Sequence, residues 1–138
     1  MPNGHILVVE DEDAIRLLLI DYLKEQGGVQ VTGARDGVDA LHQVSTRRYD
    51  VVVLDVMMPH MTGIDFLDSL TVLGSDRSVK HLSVLPAVIV VTGMPPEQMP
   101  TAHIKKRFPE LVRTVLRKPV DVKYLGECVR TLLRPGSR

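Results

Sequence analysis

The chain has 138 residues, 44% hydrophobic and 25% charged, with 17 Lys and Arg balancing 17 Asp and Glu. That length fits one domain with a substantial buried core, and no apolar run approaches the ~20 residues of a membrane span. The opening MPNGHILVVEDED has no basic segment ahead of an apolar stretch and turns acidic at once, which argues against a secretory signal.

The single Cys128 cannot form an internal disulfide and is compatible with a reducing cytoplasm, the expected location. The net charge of zero hides a split. Residues 1–69 carry 5 Lys/Arg against 12 Asp/Glu, a net of −7, and residues 70–138 carry 12 against 5, a net of +7. A uniformly basic nucleic-acid binder does not fit, so no direct nucleic-acid binding is expected. The split reads either as opposite faces of one solvated surface or as an acidic site with a basic docking face.

In chain order, the first apolar run is HILVV at 5–9, followed by a helical pattern over 12–26 with a Glu12–Arg16 pair at i,i+4 and a stop at Gly27-Gly28. VQVTG at 29–33 follows, then a helix over 36–46 that opens at Asp36 and sets Val38, Leu41 and Val44 on one face. VVVL at 51–54 runs into Asp55, and AVIVV at 87–91 runs into Thr92. HIKKRF at 103–108 reads as a basic helix face, solvated or used for docking. The last run is LVRTVL at 111–116, and the last helix covers 121–133 from an Asp121 cap, with Val122, Leu125, Val129 and Leu132 as its stripe and Cys128 packing beside it.

Short Val- and Ile-rich runs alternating with helices imply an α/β domain with a five-stranded parallel sheet and helices on both faces. No repeat or convincing linker divides it. The core is expected over about residues 4–134.

In open parallel sheets, ligands bind beyond the carboxyl ends of the strands, where strand order reverses. The first run ends in Glu10-Asp11, the third in Asp55, the fourth in Thr92 and the fifth in Arg117-Lys118. The second ends in Gly33-Ala34, which offers no chemistry. The order 2-1-3-4-5, a flavodoxin-like arrangement, gathers all four groups and leaves the inert strand at the edge. Three carboxylates then crowd together. Two charges ~5 Å apart at an effective dielectric of ~20 repel by about 3 kcal/mol, more than one Lys cancels across three pairs. Either the acids take up protons or a hard divalent cation sits among them, and Mg²⁺ suits an open all-oxygen site. Cation, ammonium and hydroxyl together form a cradle for a phosphoryl group.

These pieces carry a family likeness. ILVVEDE (6–12), VVVLDVMMPHMTGIDFL (51–67), VIVVTG (88–93) and RKP (117–119) resemble the receiver domain of two-component response regulators, of the chemotaxis-receiver type. The resemblance implies that Asp55 is the phosphoacceptor. It implies that Glu10, Asp11 and Asp55 hold Mg²⁺ with the Met57 main-chain carbonyl. Thr92 is implied as the hydroxyl that closes on the phosphoryl group, and Lys118 as its ion-pair partner, with a cis bond to Pro119. A histidine kinase or histidine phosphotransfer protein is the implied donor and an effector protein the implied target. A phosphorylation-linked dimer is one form the output takes in this family, and no membrane is involved. The chain would then promote only its own modification and would not be an enzyme acting on a free substrate.

Three departures stand out. Val115 occupies the place of the usual Tyr or Phe three residues before the Lys, position 10 is Glu where Asp is commoner, and the segments 71–86 and 93–101 are longer than a compact receiver needs. Two other readings stay open. One is a receiver fold that signals through protein interaction without phosphate. The other, more remote, is a haloacid-dehalogenase-type aspartyl-phosphate phosphatase, whose second Asp would fall at Met57. Met58 and Met61 read as core filler, and Met57 and Met94 as apolar cover over the site. His5, His42, His60, His81 and His103 lack zinc-ligand spacing.

Overall fold

The computed structural model describes residues 4–57, 62–76 and 84–133. Met58, His60 and Met61, the 77–83 part of the first long segment with His81, and the tail from 134 lie outside the described residues. Ten elements alternate: β1 (Gly4–Val9), α1 (Asp13–Glu25), β2 (Val29–Ala34), α2 (Gly37–Thr46), β3 (Val51–Asp55), α3 (Gly63–Gly74), β4 (Ala87–Thr92), α4 (Thr101–Arg107), β5 (Val112–Arg117) and α5 (Val122–Leu133). The strands are all parallel, in the expected order β2-β1-β3-β4-β5.

The sheet forms because its central strands are apolar on both faces. Every residue of β3 and β4 is buried. Alternation sends Leu7, Val9, Val52, Leu54, Val88 and Val90 to one side, where Phe66, Leu67 and Leu70 of α3 and Ile104 of α4 cover them. Ile6, Val8, Val51, Val53, Ile89 and Val91 face the other side, under Leu19 and Leu23 of α1 and Leu125, Val129 and Leu132 of α5. Burying one such side chain stabilises by roughly 1.5–3 kcal/mol before chain entropy is counted. The sheet is therefore the rigid frame to which the strand-end residues are fixed.

Helix boundaries follow local chemistry. Asp36 accepts from the Asp39 N–H at 2.8 Å, and Asp121 accepts from the N–H groups of Lys123 and Tyr124 at 3.0 and 3.2 Å. Past α1, Gly27 and Gly28 take φ of 78° and 72°, which side chains with a Cβ resist.

Other expectations need correction. Val38 is 57% exposed, because the inward stripe of α2 runs through Gly37, Ala40, Leu41 and Val44. Arg16 pairs with Asp13 at 2.5 Å and donates to the Glu10 carbonyl, where the i,i+4 rule suggested Glu12. The helix over 63–74 has an inward stripe of Phe66, Leu67, Leu70 and Leu73 and an outer face with Asp65, Asp68 and exposed Val72. Its signal is Thr62, whose hydroxyl accepts from the Asp65 N–H at 3.2 Å.

Gly63 begins α3 directly against the turn that follows Asp55. A Cβ placed there would lie 2.5 Å from the Val56 Cα, a backbone atom with little room to yield. Gly63→Ala should therefore cost about 1–3 kcal/mol in urea unfolding. An unchanged midpoint would show that the Val56 turn is not packed this tightly.

Candidate functional site

Strand register brings the acids together. Val9 pairs with Leu54, so Glu10 and Asp55 leave neighbouring strands at the same level. Asp55 in turn pairs with Val91, and Thr92 with Arg117. One carboxylate oxygen each from Glu10, Asp11 and Asp55 lies within 4.8 Å of the others, the one such His/Cys/Asp/Glu group among the described residues. Glu10 and Asp55 are each only 3% exposed, whereas Asp11 is open to solvent.

Each buried acid has a defined set of partners. The Met57 N–H donates to Asp55 Oδ1 at 2.9 Å, and Lys118 Nζ donates to Asp55 Oδ2 at 3.2 Å. The same ammonium lies 3.5 Å from Glu10 Oε1, while the Glu12 N–H donates to Glu10 Oε2 at 3.1 Å. Arg16, largely buried, holds the Glu10 carbonyl at 2.9 Å and so fixes the turn that carries both N-terminal acids. Beside the ammonium is an apolar slot of about 200 Å³ bounded by Ile15, Leu18, Leu19, Val53, Pro119 and Val120.

One ammonium against three carboxylates leaves the site short of positive charge. Burial, with Asp11 and Asp55 adding to it, pushes the Glu10 carboxyl up from the usual 4.5 to about 7, against the opposing pull of the Glu12 N–H and Lys118. For Lys118, burial pulls downward, but the Asp55 and Glu10 carboxylates outweigh it and the net direction is up. The all-oxygen donor set and its surplus of negative charge fit a small hard cation, with Glu10, Asp11 and Asp55 as the side chains that would hold it.

Comparison with known proteins places this site in a family. The sequence pattern of the response regulator receiver domain matches residues 6–130. The chain belongs to the response regulator receiver domain family. It is 30% identical to an uncharacterized response regulatory protein of Vibrio cholerae, over 96% of this chain and 49% of that protein. It is 34% identical to the Regulator of RpoS of Escherichia coli, over 95% of this chain and 35% of that one. The chain thus spans half or less of the length of these curated relatives. Among solved structures it is similar to the response regulator protein TrrA of Thermotoga maritima in complex with Mg²⁺-BeF. That likeness has 26% identity and a TM-score of 0.72 over 94% of this chain and 99% of that one.

In this receiver domain the fold gathers Glu10, Asp11, Asp55 and Lys118 directly. Thr92 is fully buried one position beyond the partner of Asp55, and its hydroxyl accepts from the Met94 N–H at 3.0 Å. Lys118–Pro119 is cis. Met57 is half exposed and Met94 partly buried. Val115 is partly buried against the α2–α3–α4 side of the core. Arg117, grouped with Lys118 from sequence, turns away from the acids to the segment between β4 and α4. The strand-end alternation of neighbours 117 and 118 was the available signal. Among the described residues no helix is long and apolar enough to cross a membrane.

The raised Glu10 pKa has a consequence for stability. Without metal, folded Glu10 keeps its proton to about pH 7 while the unfolded chain releases it near 4.5, so the folded state binds more protons in between. Stability from this group is complete at acid pH and is lost as pH rises from about 4.5 toward 7. Urea unfolding in chelator should show that decline between about pH 5 and 7, and Glu10→Gln should remove it. A wild-type curve parallel to that of Glu10→Gln would contradict the assignment.

Proposed function

We propose that this receiver domain is a phosphoacceptor switch in which Asp55 receives a phosphoryl group from a histidine kinase or histidine phosphotransfer protein. The observation that carries this reading is the environment of the Asp55 carboxylate. It is almost fully buried at a strand end, yet it is held between the Met57 N–H and the Lys118 ammonium beside two further acids. A carboxylate kept only for stability has no need of neighbouring acids, which repel it.

In the proposed transfer an Asp55 oxygen attacks the donor phosphorus in line. The P–N bond breaks, its electron pair returns to the imidazole, and an acyl phosphate forms on Asp55. Lys118 meets the charge on the phosphoryl oxygens, and Thr92 leaves the Met94 N–H to donate its hydroxyl to one of them. Magnesium, when held by Glu10, Asp11, Asp55 and the Met57 carbonyl, supplies the positive charge the site lacks. The Mg²⁺-BeF bound by the Thermotoga maritima relative supports that choice of ion. Hydrolysis returns the carboxylate, so the chain promotes its own modification and turns over no free substrate. Output passes to a partner protein in the cytoplasm.

Val115 in the place of the usual aromatic favours a second reading, an interaction module that works without phosphate. Intact-mass measurement after incubation with acetyl phosphate and Mg²⁺ separates the readings. Wild type should gain one phosphoryl group, Asp55→Asn none, and chelator should slow uptake roughly 100-fold or more. No gain from any donor points to the interaction module, and fast release of phosphate from small esters points to a phosphatase.

A further inference from the structure

Arg117 makes contacts that the phosphoryl chemistry does not require. Its Nη1 donates to the Met94 carbonyl at 2.9 Å, and its Nη2 donates to the Met99 carbonyl at 2.6 Å and to Thr101 Oγ1 at 3.3 Å. One guanidinium therefore spans from the residue bonded to Thr92 to the first residue of α4. The segment between is itself tied, since the Gln98 and Met99 N–H groups both donate to the Pro95 carbonyl and two adjacent prolines restrict its backbone. It is built to shift as a unit.

Position and face matter as much as the bonds. Arg117 pairs with Thr92 across the sheet, and alternation sets it on the same side as Val115, two residues earlier. That is the side on which α4 packs. The helix it grips is weakly held. It is seven residues long, its N-cap Pro100 offers no side-chain acceptor, and Ile104 is its one buried residue. Helices this short depend on tertiary contacts for their existence. Beyond Arg117, those contacts among the described residues include Ile104 and Phe108 in the core and an Arg107–Asp68 pair at 2.9 Å.

We infer that Arg117 carries the state of Thr92 to α4, filling the coupling role that Val115 cannot. This rests on the reading of Thr92 as the hydroxyl that closes on phosphorylated Asp55. When Thr92 turns inward, the Met94 N–H loses its acceptor and the 94–99 turn moves. The forked grip of Arg117 then passes that movement to Met99 and Thr101 at the start of α4. The guanidinium works as a tie rod because its donors are rigidly spaced, which a Lys ammonium is not. α4 presents exposed Lys105, Lys106 and Arg107, so the output is a change in how a basic face is displayed.

Hydrogen exchange over residues 94–107, with and without phosphorylation by acetyl phosphate and Mg²⁺, tests this on wild type, Arg117→Met and Arg117→Lys. Wild type should show a difference between the two states of roughly threefold or more in 101–107. Both variants should take up the phosphoryl group within about twofold of the wild-type rate while that difference largely disappears. A merely structural role would shift both states alike and leave their difference intact. Arg117→Lys, which keeps the charge, carries the test if Arg117→Met does not fold. A variant that is phosphorylated and retains the wild-type difference overturns the inference, as does phosphorylated wild type with no change in α4. Failure of wild type to gain mass is seen before exchange is measured and removes the underlying reading instead.

Discussion

The ammonium of Lys118 stands between Asp55 and Glu10, 3.2 Å from one and 3.5 Å from the other, and both acids are almost without water. Desolvation penalises each charge separately, so the arrangement persists only because the surrounding frame leaves no alternative position for them. That frame is the parallel sheet. Its central strands are apolar on both faces, their register is fixed by the side chains they bury, and the first residues past their ends have to converge. A one-residue slip in β3 would turn Asp55 to the opposite face and set Leu54 among the acids.

The site is complete in geometry and deficient in charge, and this deficit connects stability with signalling. Glu10 responds by holding its proton to about pH 7. In the proposed switch a divalent cation would relieve the same stress by adding positive charge among Glu10, Asp11 and Asp55, with Asp55 as the nucleophile. The hydroxyl of Thr92 accepts from the Met94 N–H, and in the proposed switch it links charge at Asp55 to structure farther away. By the inference above, Arg117 extends that link to α4, the shortest helix among the described residues.

Much of this could be read from residue order because the chemistry was concentrated where apolar runs stop. Glu10-Asp11, Asp55, Thr92 and Lys118 imply the neighbours 1-3-4-5, since only strands in that sequence gather them, and the inert second strand is left for an edge. Caps with a local mechanism, Asp36 and Asp121, and the Gly27-Gly28 stop were equally plain. Features set by three-dimensional packing were not. Val38 lies outside because the inward stripe of α2 runs through Gly37, Ala40, Leu41 and Val44, and α3 starts from a Thr62 cap only seven residues after Asp55. Arg16 chose Asp13 and a carbonyl over the expected Glu12. Arg117 adjoins Lys118 in sequence but faces the other side of the sheet, so its partners depend on where the β4–α4 segment folds, which no local pattern encodes.

The central claim is that crowded acids at the strand ends create the demand for a cation, with Glu10 yielding a proton to meet it. Calorimetric titration of Mg²⁺ near pH 6.5, in two buffers of different ionisation heat, measures that exchange directly. Saturable binding is expected, with release of a large fraction of one proton per ion by the wild type and loss of that release in Glu10→Gln. Binding with no proton released by the wild type, or no binding at all, would contradict it.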